Sequence, residues 1–212
     1  MSRAILFDLD GTVTDSGEGI MNCAAYALEK LGLPVPGREK LRVFVGPPLQ
    51  KTFPDFGVAQ DQVDEAIAIF RSRYVPIGKF ENKPYPGMEA LLSRLKDEGN
   101  RLFIATSKPE TTAVEILNHF DLSKYFEIIA GATFDGTRDS KEDVIRYLLS
   151  RTSAMDDCIM VGDTAYDVIG AKAHGMPCIG VSWGYGEVSD MVDAGAAAIA
   201  NTMDELHDYV TK

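Results

Sequence analysis

Residues 4–13, which read AILFDLDGTV, decide the fold of this chain. The first four are continuously apolar, as in a strand that is buried on both faces of a parallel sheet. The run then ends in two aspartates, Asp8 and Asp10, followed by Gly11 and Thr12. Because open α/β sheets bind ligands outside the carboxyl ends of their strands, this arrangement predicts a ligand site at the end of the first strand.

Short apolar runs of the same kind recur along most of the chain and alternate with amphipathic segments. We predict strands at Arg3–Phe7, Arg101–Ala105, Glu127–Ala130, Cys158–Val161, Cys178–Val181 and Ala196–Ala200. We predict helices at Met88–Glu98, from Pro109 onward, from Ser140 to Arg151 and at Ala165–His174. The alternation of strands and helices indicates an α/β fold with a Rossmann-like, largely parallel sheet.

One region lacks this alternation and shows helical periodicity alone. Within it we predict no strand, and we predict helices at Gly19–Leu31, Arg38–Val45 and Gln60–Val75. The simplest organisation is an all-helical cap domain, residues 15–82, inserted after the first strand into an α/β core formed by residues 1–14 and 83–212. Since the insert follows the first strand, we expect it to lie over that strand's carboxyl end and to act as a lid.

Composition and charge narrow the classes of partner. Of the 212 residues, 45% are hydrophobic and 25% are charged, as in ordinary globular proteins. The formal net charge of −11 argues against a nucleic acid polymer or an anionic membrane as partner. Three cysteines without a C-x-x-C pair favour a reducing, cytoplasmic setting. We read the short apolar run at the amino terminus as a strand, not as a signal peptide, and these residues carry no signal for the oligomeric state.

Further polar residues are predicted at the same edge of the sheet. Thr106, Ser107 and Lys108 follow the second strand, Lys141 opens the helix after the third, and Asp163 and Asp167 follow the fourth. Together with the aspartates of the first strand, four carboxylates, hydroxyl groups and a lysine therefore converge. Carboxylates in one place repel each other unless a cation holds them, and oxygen donors without histidine or cysteine favour Mg²⁺ over zinc.

This set of groups is suited to phosphoryl chemistry. Once Mg²⁺ and Lys141 neutralise the site, a phosphate dianion can enter and the carboxylate of Asp8 can attack phosphorus. Asp10, on the same turn, can give a proton to the leaving oxygen and later take one from water. Thr106 and the amides near Ser107 can hold phosphoryl oxygens at the start of a helix.

In motif content and order, the chain resembles the haloacid dehalogenase superfamily of phosphohydrolases. Residues 4–13 match its first motif, a hydrophobic strand followed by DxDGT, and Thr106 matches the second. Lys141 matches the third motif, and residues 162–167, which read GDTAYD, match the fourth, of the GDxxxD kind. The resemblance extends over essentially the whole chain.

The resemblance implies a role for each of these residues. Asp8 would form an aspartyl-phosphate, and Asp10 would be the acid and base. The implied metal set is Asp8, Asp10 through its backbone carbonyl, Asp163 and Asp167, the last ligating Mg²⁺ directly or through water. The implied phosphate-binding set is Gly11, Thr106, Ser107 and Lys141.

The helical insert resembles the cap of the subgroup that contains phosphoglycolate phosphatases, β-phosphoglucomutases and certain pyrophosphatases. Residues 85–87 and 135–138 are most similar to the phosphoglycolate phosphatase-like branch. We therefore expect a Mg²⁺-dependent phosphatase that acts on a small phosphorylated metabolite. The alternatives are a 5′-nucleotidase, a pyrophosphatase, a sugar phosphomutase and, from another class, a non-hydrolytic phosphoacceptor signalling module. Glu142 after Lys141, and Ser107 after Thr106, depart from the proline and asparagine common in this subgroup, so the substrate is left open.

Overall fold

A six-stranded parallel sheet forms the centre of the computed structural model, which describes residues 3–152 and 157–212. The strand order is β5-β4-β1-β6-β7-β8, and each neighbouring pair is parallel. The predicted α/β fold with a parallel sheet is confirmed. In chain order, the strands in the described ranges are β1 (Ala4–Phe7), β2 (Thr14–Asp15), β3 (Lys83–Pro84), β4 (Arg101–Pro109), β5 (Ile128–Ala132), β6 (Cys158–Gly162), β7 (Cys178–Val181) and β8 (Ala198–Ala200).

Helices connect the strands of this sheet. Ser140 caps the helix that carries the predicted lysine, because its Oγ accepts a hydrogen bond from the Asp143 amide at 3.1 Å. None of the described helices has the length and apolarity that a membrane span requires. In chain order, the α-helices in the described ranges are α1 (Gly17–Lys30), α2 (Arg38–Leu41), α3 (Leu49–Thr52), α4 (Val63–Tyr74), α5 (Met88–Asp97), α6 (Glu110–His119), α7 (Lys141–Arg151), α8 (Ala165–Lys172), α9 (Val188–Ala194) and α10 (Met203–Thr211).

Strand β1 lies in the middle of the sheet, between β4 and β6. Its residues alternate between two fully buried hydrophobic clusters, with Ile5 and Phe7 in one and Leu6 in the other. The chain builds β4 and β5 on one side of β1 and then crosses to β6 on the other side. This reversal makes the carboxyl end of β1 a topological switch point, where sheets of this kind form a crevice for ligands.

The chain divides into two compact units, Met1–Thr14 with Pro84–Lys212, and Asp15–Lys83. Strands β2 and β3 pair with each other at the two points where the chain passes from one unit to the other. Just beyond them, the Tyr85 amide donates to the Val13 carbonyl at 3.1 Å. We predicted no strand in this region, since strands of two residues are too short to show a periodicity.

The unit Asp15–Lys83 is helical and has an aromatic interior. Phe53 packs edge-on against both Phe44 and Phe70, with ring centroids 5.0 and 6.4 Å apart. Arg73 and Glu81 form a bidentate ion pair of 2.7 and 2.8 Å. Two predicted helices are shorter than expected, because 3₁₀ turns replace their ends at Arg42–Phe44 and Gln60–Gln62.

Candidate active site

Asp8, the first residue after β1, is buried beside the ammonium group of Lys141. The Lys141 Nζ lies 2.8 Å from Asp8 Oδ1 and 2.7 Å from Asp167 Oδ1, and it donates to the Ala105 carbonyl at 2.8 Å. Burial opposes a charge on Lys141, but the negative charges of Asp167 and Asp8 outweigh it and raise the pKa of the lysine above its ordinary value. Lys141 is therefore a fixed, permanently charged cation. Gly170 on α8 makes room for it, since a Cβ there would lie 2.7 Å from Lys141 Cγ.

Asp163 follows β6 and is held from two sides. Its Oδ1 accepts a hydrogen bond from Thr12 Oγ1 at 3.0 Å, and its Oδ2 accepts one from the Tyr185 amide at 2.9 Å. Gly11, with φ +82°, packs against it so closely that a Cβ would lie 2.1 Å from Asp163 Oδ2. The DxDGT segment and the loop after β7 thus fix this carboxylate together.

Asp167 lies in the first turn of α8 and is fully buried. Its Oδ2 accepts hydrogen bonds from the amide and the hydroxyl of Thr164, at 3.1 and 2.9 Å. Since Oδ1 pairs with Lys141, both carboxylate oxygens have protein partners. Asp167 therefore joins the start of α8 to the buried lysine.

Three of these carboxylates form a compact group. Asp8, Asp163 and Asp167 offer oxygen atoms that all lie within 4.8 Å of one another. Burial, together with the charge of Asp167, raises the pKa of Asp163 to about 8. It also raises the pKa of Asp8 to about 6, although the charge of Lys141 opposes that shift. The protein alone therefore resists full ionisation of this group. An added cation would relieve the repulsion.

Asp10 is paired with a lysine that was expected at the end of the second strand but for which no role was predicted. Lys108 Nζ lies 2.6 Å from Asp10 Oδ2, and the two side chains are only 5% and 12% exposed. The sequence signal was available, because Lys108 comes two residues after Thr106 at the end of a buried strand. Asp10 Oδ1 is buried and has no hydrogen-bond partner among the described residues.

The net charge of the site fits a divalent cation. The four carboxylates of Asp8, Asp10, Asp163 and Asp167 face the two ammonium groups of Lys108 and Lys141. With all four carboxylates ionised, two negative charges are left, which one divalent ion balances. Because the donors are carboxylate oxygens, the chemistry of the site suits Mg²⁺.

The two predicted phosphate-binding residues of β4 lie in the strand itself. This strand continues to Pro109, beyond the predicted end at Ala105, with an irregular register to β5 between Thr106 and Pro109. Thr106 is buried and its Oγ1 accepts a hydrogen bond from the Lys108 amide at 3.2 Å, whereas Ser107 is half-buried. The helix that follows begins one residue later than predicted, at Glu110.

Comparison with known proteins places the chain in a family. The family described as haloacid dehalogenase-like hydrolase matches residues 5–181. The chain is 41% identical over 210 residues to the tyrosine-protein kinase PtkA of Mycobacterium tuberculosis, which covers 97% of this chain and 72% of that protein. It is also 41% identical over 189 residues to a 5′-nucleotidase of Pseudomonas aeruginosa, with 88% and 86% covered.

A solved structure agrees with this assignment along the full length. The crystal structure of a predicted phosphatase from Clostridium acetobutylicum is similar with a TM-score of 0.94 and 45% sequence identity. The match covers 100% of this chain and 99% of that one. From the match to the family over most of its length, and from these relatives, we conclude that the chain belongs to the haloacid dehalogenase-like hydrolases.

Proposed function

We propose that this chain is a Mg²⁺-dependent phosphatase that hydrolyses a small phosphorylated metabolite through an aspartyl-phosphate on Asp8. The observation that carries the proposal is the buried Asp8–Lys141 ion pair inside a group of three carboxylates. Membership of a hydrolase family and similarity to a predicted phosphatase support the same reaction class.

In the first half-reaction, a carboxylate oxygen of Asp8 attacks phosphorus and the bond to the leaving oxygen breaks. Asp10 enters this half-reaction in its protonated form and gives the proton to that oxygen. In the second half-reaction, water attacks phosphorus, Asp10 takes the proton, and the bond to Asp8 breaks to release inorganic phosphate. Lys141 and Thr106 are proposed to hold the phosphoryl oxygens, with Gly11 and Ser107 beside them.

We propose that Asp8, Asp163 and the backbone carbonyl of Asp10 would hold Mg²⁺. The ion, when bound, supplies positive charge that offsets the carboxylates and the phosphoryl oxygens. Asp167 is proposed to support Lys141 and not to ligate the ion directly, because its Oδ1 is already paired with an ammonium group. Asp163 differs, since its partners are a neutral hydroxyl and an amide.

Nucleoside 5′-monophosphates are our first choice of substrate, because the 5′-nucleotidase relative is 41% identical over most of both chains. Phosphoglycolate comes next, on the sequence resemblance, followed by pyrophosphate and sugar phosphates. A panel of these compounds, assayed for released inorganic phosphate, ranks them by kcat/KM. We also expect a reducing, cytoplasmic setting, with which the thiol form of Cys23, Cys158 and Cys178 agrees.

A second candidate function is phosphoryl transfer to protein tyrosine, favoured by the 41% identity to a tyrosine-protein kinase over 97% of this chain. The candidates differ in the acceptor, which is water in one case and a phenol oxygen in the other. Incubation with γ-labelled ATP separates them. Label on tyrosine supports the kinase, released phosphate supports the phosphatase, and label that stays on an aspartate supports a phosphoacceptor module.

The direct test of the proposed function is Asp8→Asn. We expect turnover of p-nitrophenyl phosphate to fall by about 1,000-fold or more, because the nucleophile is lost. Circular dichroism and thermal unfolding should stay close to those of the wild type. Asp193→Asn, an exposed aspartate on α9, is the control and should keep full activity. Normal turnover in Asp8→Asn would end the proposed mechanism.

A further inference from the structure

Lys108 is a buried cation at the candidate active site. It has no role in the two half-reactions proposed above. Its side chain is 5% exposed, which is unusual for a lysine and requires a partner for the charge. The partner is Asp10, at 2.6 Å from Nζ to Oδ2. The pair therefore involves the residue that is proposed to move the proton.

The two oxygens of Asp10 have different surroundings. Oδ2 is held by Lys108, whereas Oδ1 is buried and lacks a hydrogen-bond partner in the described part of the chain. A buried acceptor without a partner is unfavourable, so a site that keeps one is arranged for a group that arrives with the ligand. Anchoring one oxygen of a carboxylate also restricts its rotation and settles which oxygen faces that group.

Lys108 is itself fixed by the strand that carries it. Its amide donates to Thr106 Oγ1 at 3.2 Å, at the irregular end of β4. The lysine thus connects the end of β4 with the turn after β1.

We propose, on the basis of the proposed function, that Lys108 is a positioning residue that acts through Asp10. It holds Oδ2 and thereby aims Oδ1 at the oxygen of the leaving group. Its contribution is then greatest where the leaving group needs a proton most. A lysine that contacted the phosphoryl group directly would instead affect binding of all substrates alike.

The experiment compares two substrates with different leaving groups. p-Nitrophenolate leaves without much help from a proton, whereas the alkoxide of glycerol 2-phosphate needs one. For Lys108→Met we expect kcat/KM, which reports the first half-reaction alone, to fall by about 10- to 100-fold with glycerol 2-phosphate and by only about two- to three-fold with p-nitrophenyl phosphate. KM should stay within about three-fold of the wild type, because binding is not the step affected. Lys108→Arg, which keeps the charge, should recover most of the loss.

A double-mutant cycle with Asp10→Asn decides whether the lysine acts through the aspartate. In the Asp10→Asn background, Lys108→Met should lower the rate with glycerol 2-phosphate by less than about two-fold, because the group that Lys108 positions is already changed. Lys124→Met is the matched control, since Lys124 also forms an ion pair of 2.6 Å, with Asp121, but on the surface. It should leave both rates unchanged. Lys108→Gln serves as a second variant if the methionine variant does not fold.

The outcomes separate this inference from the function on which it rests. If the wild type releases phosphate from neither substrate and from no compound of the panel above, the proposed function fails and the role of Lys108 fails with it. If the wild type turns over through Asp8 but Lys108→Met slows both substrates equally, the positioning role alone is wrong. A raised KM with kcat retained, or an equal loss with and without Asp10, would likewise overturn it and make Lys108 a phosphate ligand.

Discussion

At the scale of single residues, the surroundings of Asp163 strongly disfavour its ionised form. It is 1% exposed, and burial together with the charges of Asp167 and Asp8 raises its pKa to about 8. The hydrogen bonds from the Tyr185 amide and the Thr12 hydroxyl favour the charged form without offsetting the burial. The metal-free protein therefore keeps a proton here near neutrality, and binding of a divalent cation would release it.

The raised pKa of Asp163 predicts how the stability of the metal-free protein depends on pH. The pKa of Asp163 is about 8 in the folded chain against an ordinary 3.8, so the folded state binds the extra proton between these values. Its contribution to stability is complete below the ordinary pKa and is lost as the pH rises through the folded one. Asp8, with a folded pKa of about 6, acts in the same direction at lower pH.

Thermal unfolding in excess chelator checks this prediction. Between about pH 5 and about pH 8 the Tm of the wild type should fall by several degrees more than that of Asp163→Asn, which has no carboxylate to ionise there. Added Mg²⁺ should remove the difference in the wild type at the higher pH. An equal pH dependence in the two proteins would show that Asp163 is ionised throughout.

The carboxylates give a strong signal in the sequence, whereas the burial of one of their cationic partners, Lys108, does not. Asp8 and Asp163 directly follow apolar runs, and this position alone places them at the carboxyl edge of a parallel sheet. Lys108 gives a weaker signal, because a lysine after a strand is usually solvated. Its burial depends on the continuation of β4 to Pro109, which the apolar pattern up to Ala105 does not show.

At the scale of elements, the loop after β7 holds Asp163 by contacts that only small residues permit. A Cβ on Gly184 would lie 2.2 Å from the Cβ of Asp163, and one on Gly186 would lie 2.1 Å from its carbonyl oxygen. The indole of Trp183 anchors the loop by donating to the Thr12 carbonyl at 3.2 Å. The loop therefore controls where the carboxylate points.

Gly184→Ala should displace Asp163 and weaken metal binding without unfolding the protein. We expect the Mg²⁺ concentration for half-maximal activity to rise by about 10- to 100-fold, as is typical when a residue that orients a metal ligand is substituted. Activity titrated against Mg²⁺ measures this directly. Gly37→Ala is the matched control, since a Cβ there meets open space, and it should leave the titration unchanged. An unaltered titration in Gly184→Ala would mean that the loop does not position the ligand.

Elements with strong patterns were predicted well and short ones were not. β1, β6 and β7 differ from their predicted bounds by at most one residue, because strands buried on both faces are continuously apolar. α9 was not predicted, because it shows little hydrophobic periodicity. Met191 is the one residue of this helix that the structure shows as buried. α10 had an available signal, because the Thr202 hydroxyl accepts from the Glu205 amide at 3.1 Å as an N-cap.

At the scale of the whole molecule, the overall charge and the charge at the site have different consequences. The net charge of −11 repels anions at long range. The buried ammonium groups of Lys108 and Lys141 act within a few ångströms, where screening by salt is weak. Under the proposed function, a small phosphate would therefore be held by these local cations despite the overall charge.

The two-unit organisation predicts that the α/β unit folds without the helical one. Both hydrophobic clusters around the sheet consist of residues outside Asp15–Lys83. The hydrogen bond of 3.1 Å from the Tyr85 amide to the Val13 carbonyl keeps the two chain ends adjacent at the point of excision. A short Gly-Ser linker in place of residues 15–83 can therefore close the chain at a small entropic cost.

We expect this shortened chain to show the circular dichroism of an α/β protein and one cooperative thermal transition. The carboxylates of Asp8, Asp163 and Asp167 all belong to the unit that is kept, so Mg²⁺ should still stabilise it. At a Mg²⁺ concentration of about one hundred times Kd, the gain is about 2–3 kcal/mol. The same deletion with Asp163→Asn should lose most of that gain. A shortened chain without a cooperative transition would show that the helical unit is needed for folding, because the residues of both hydrophobic clusters are still present.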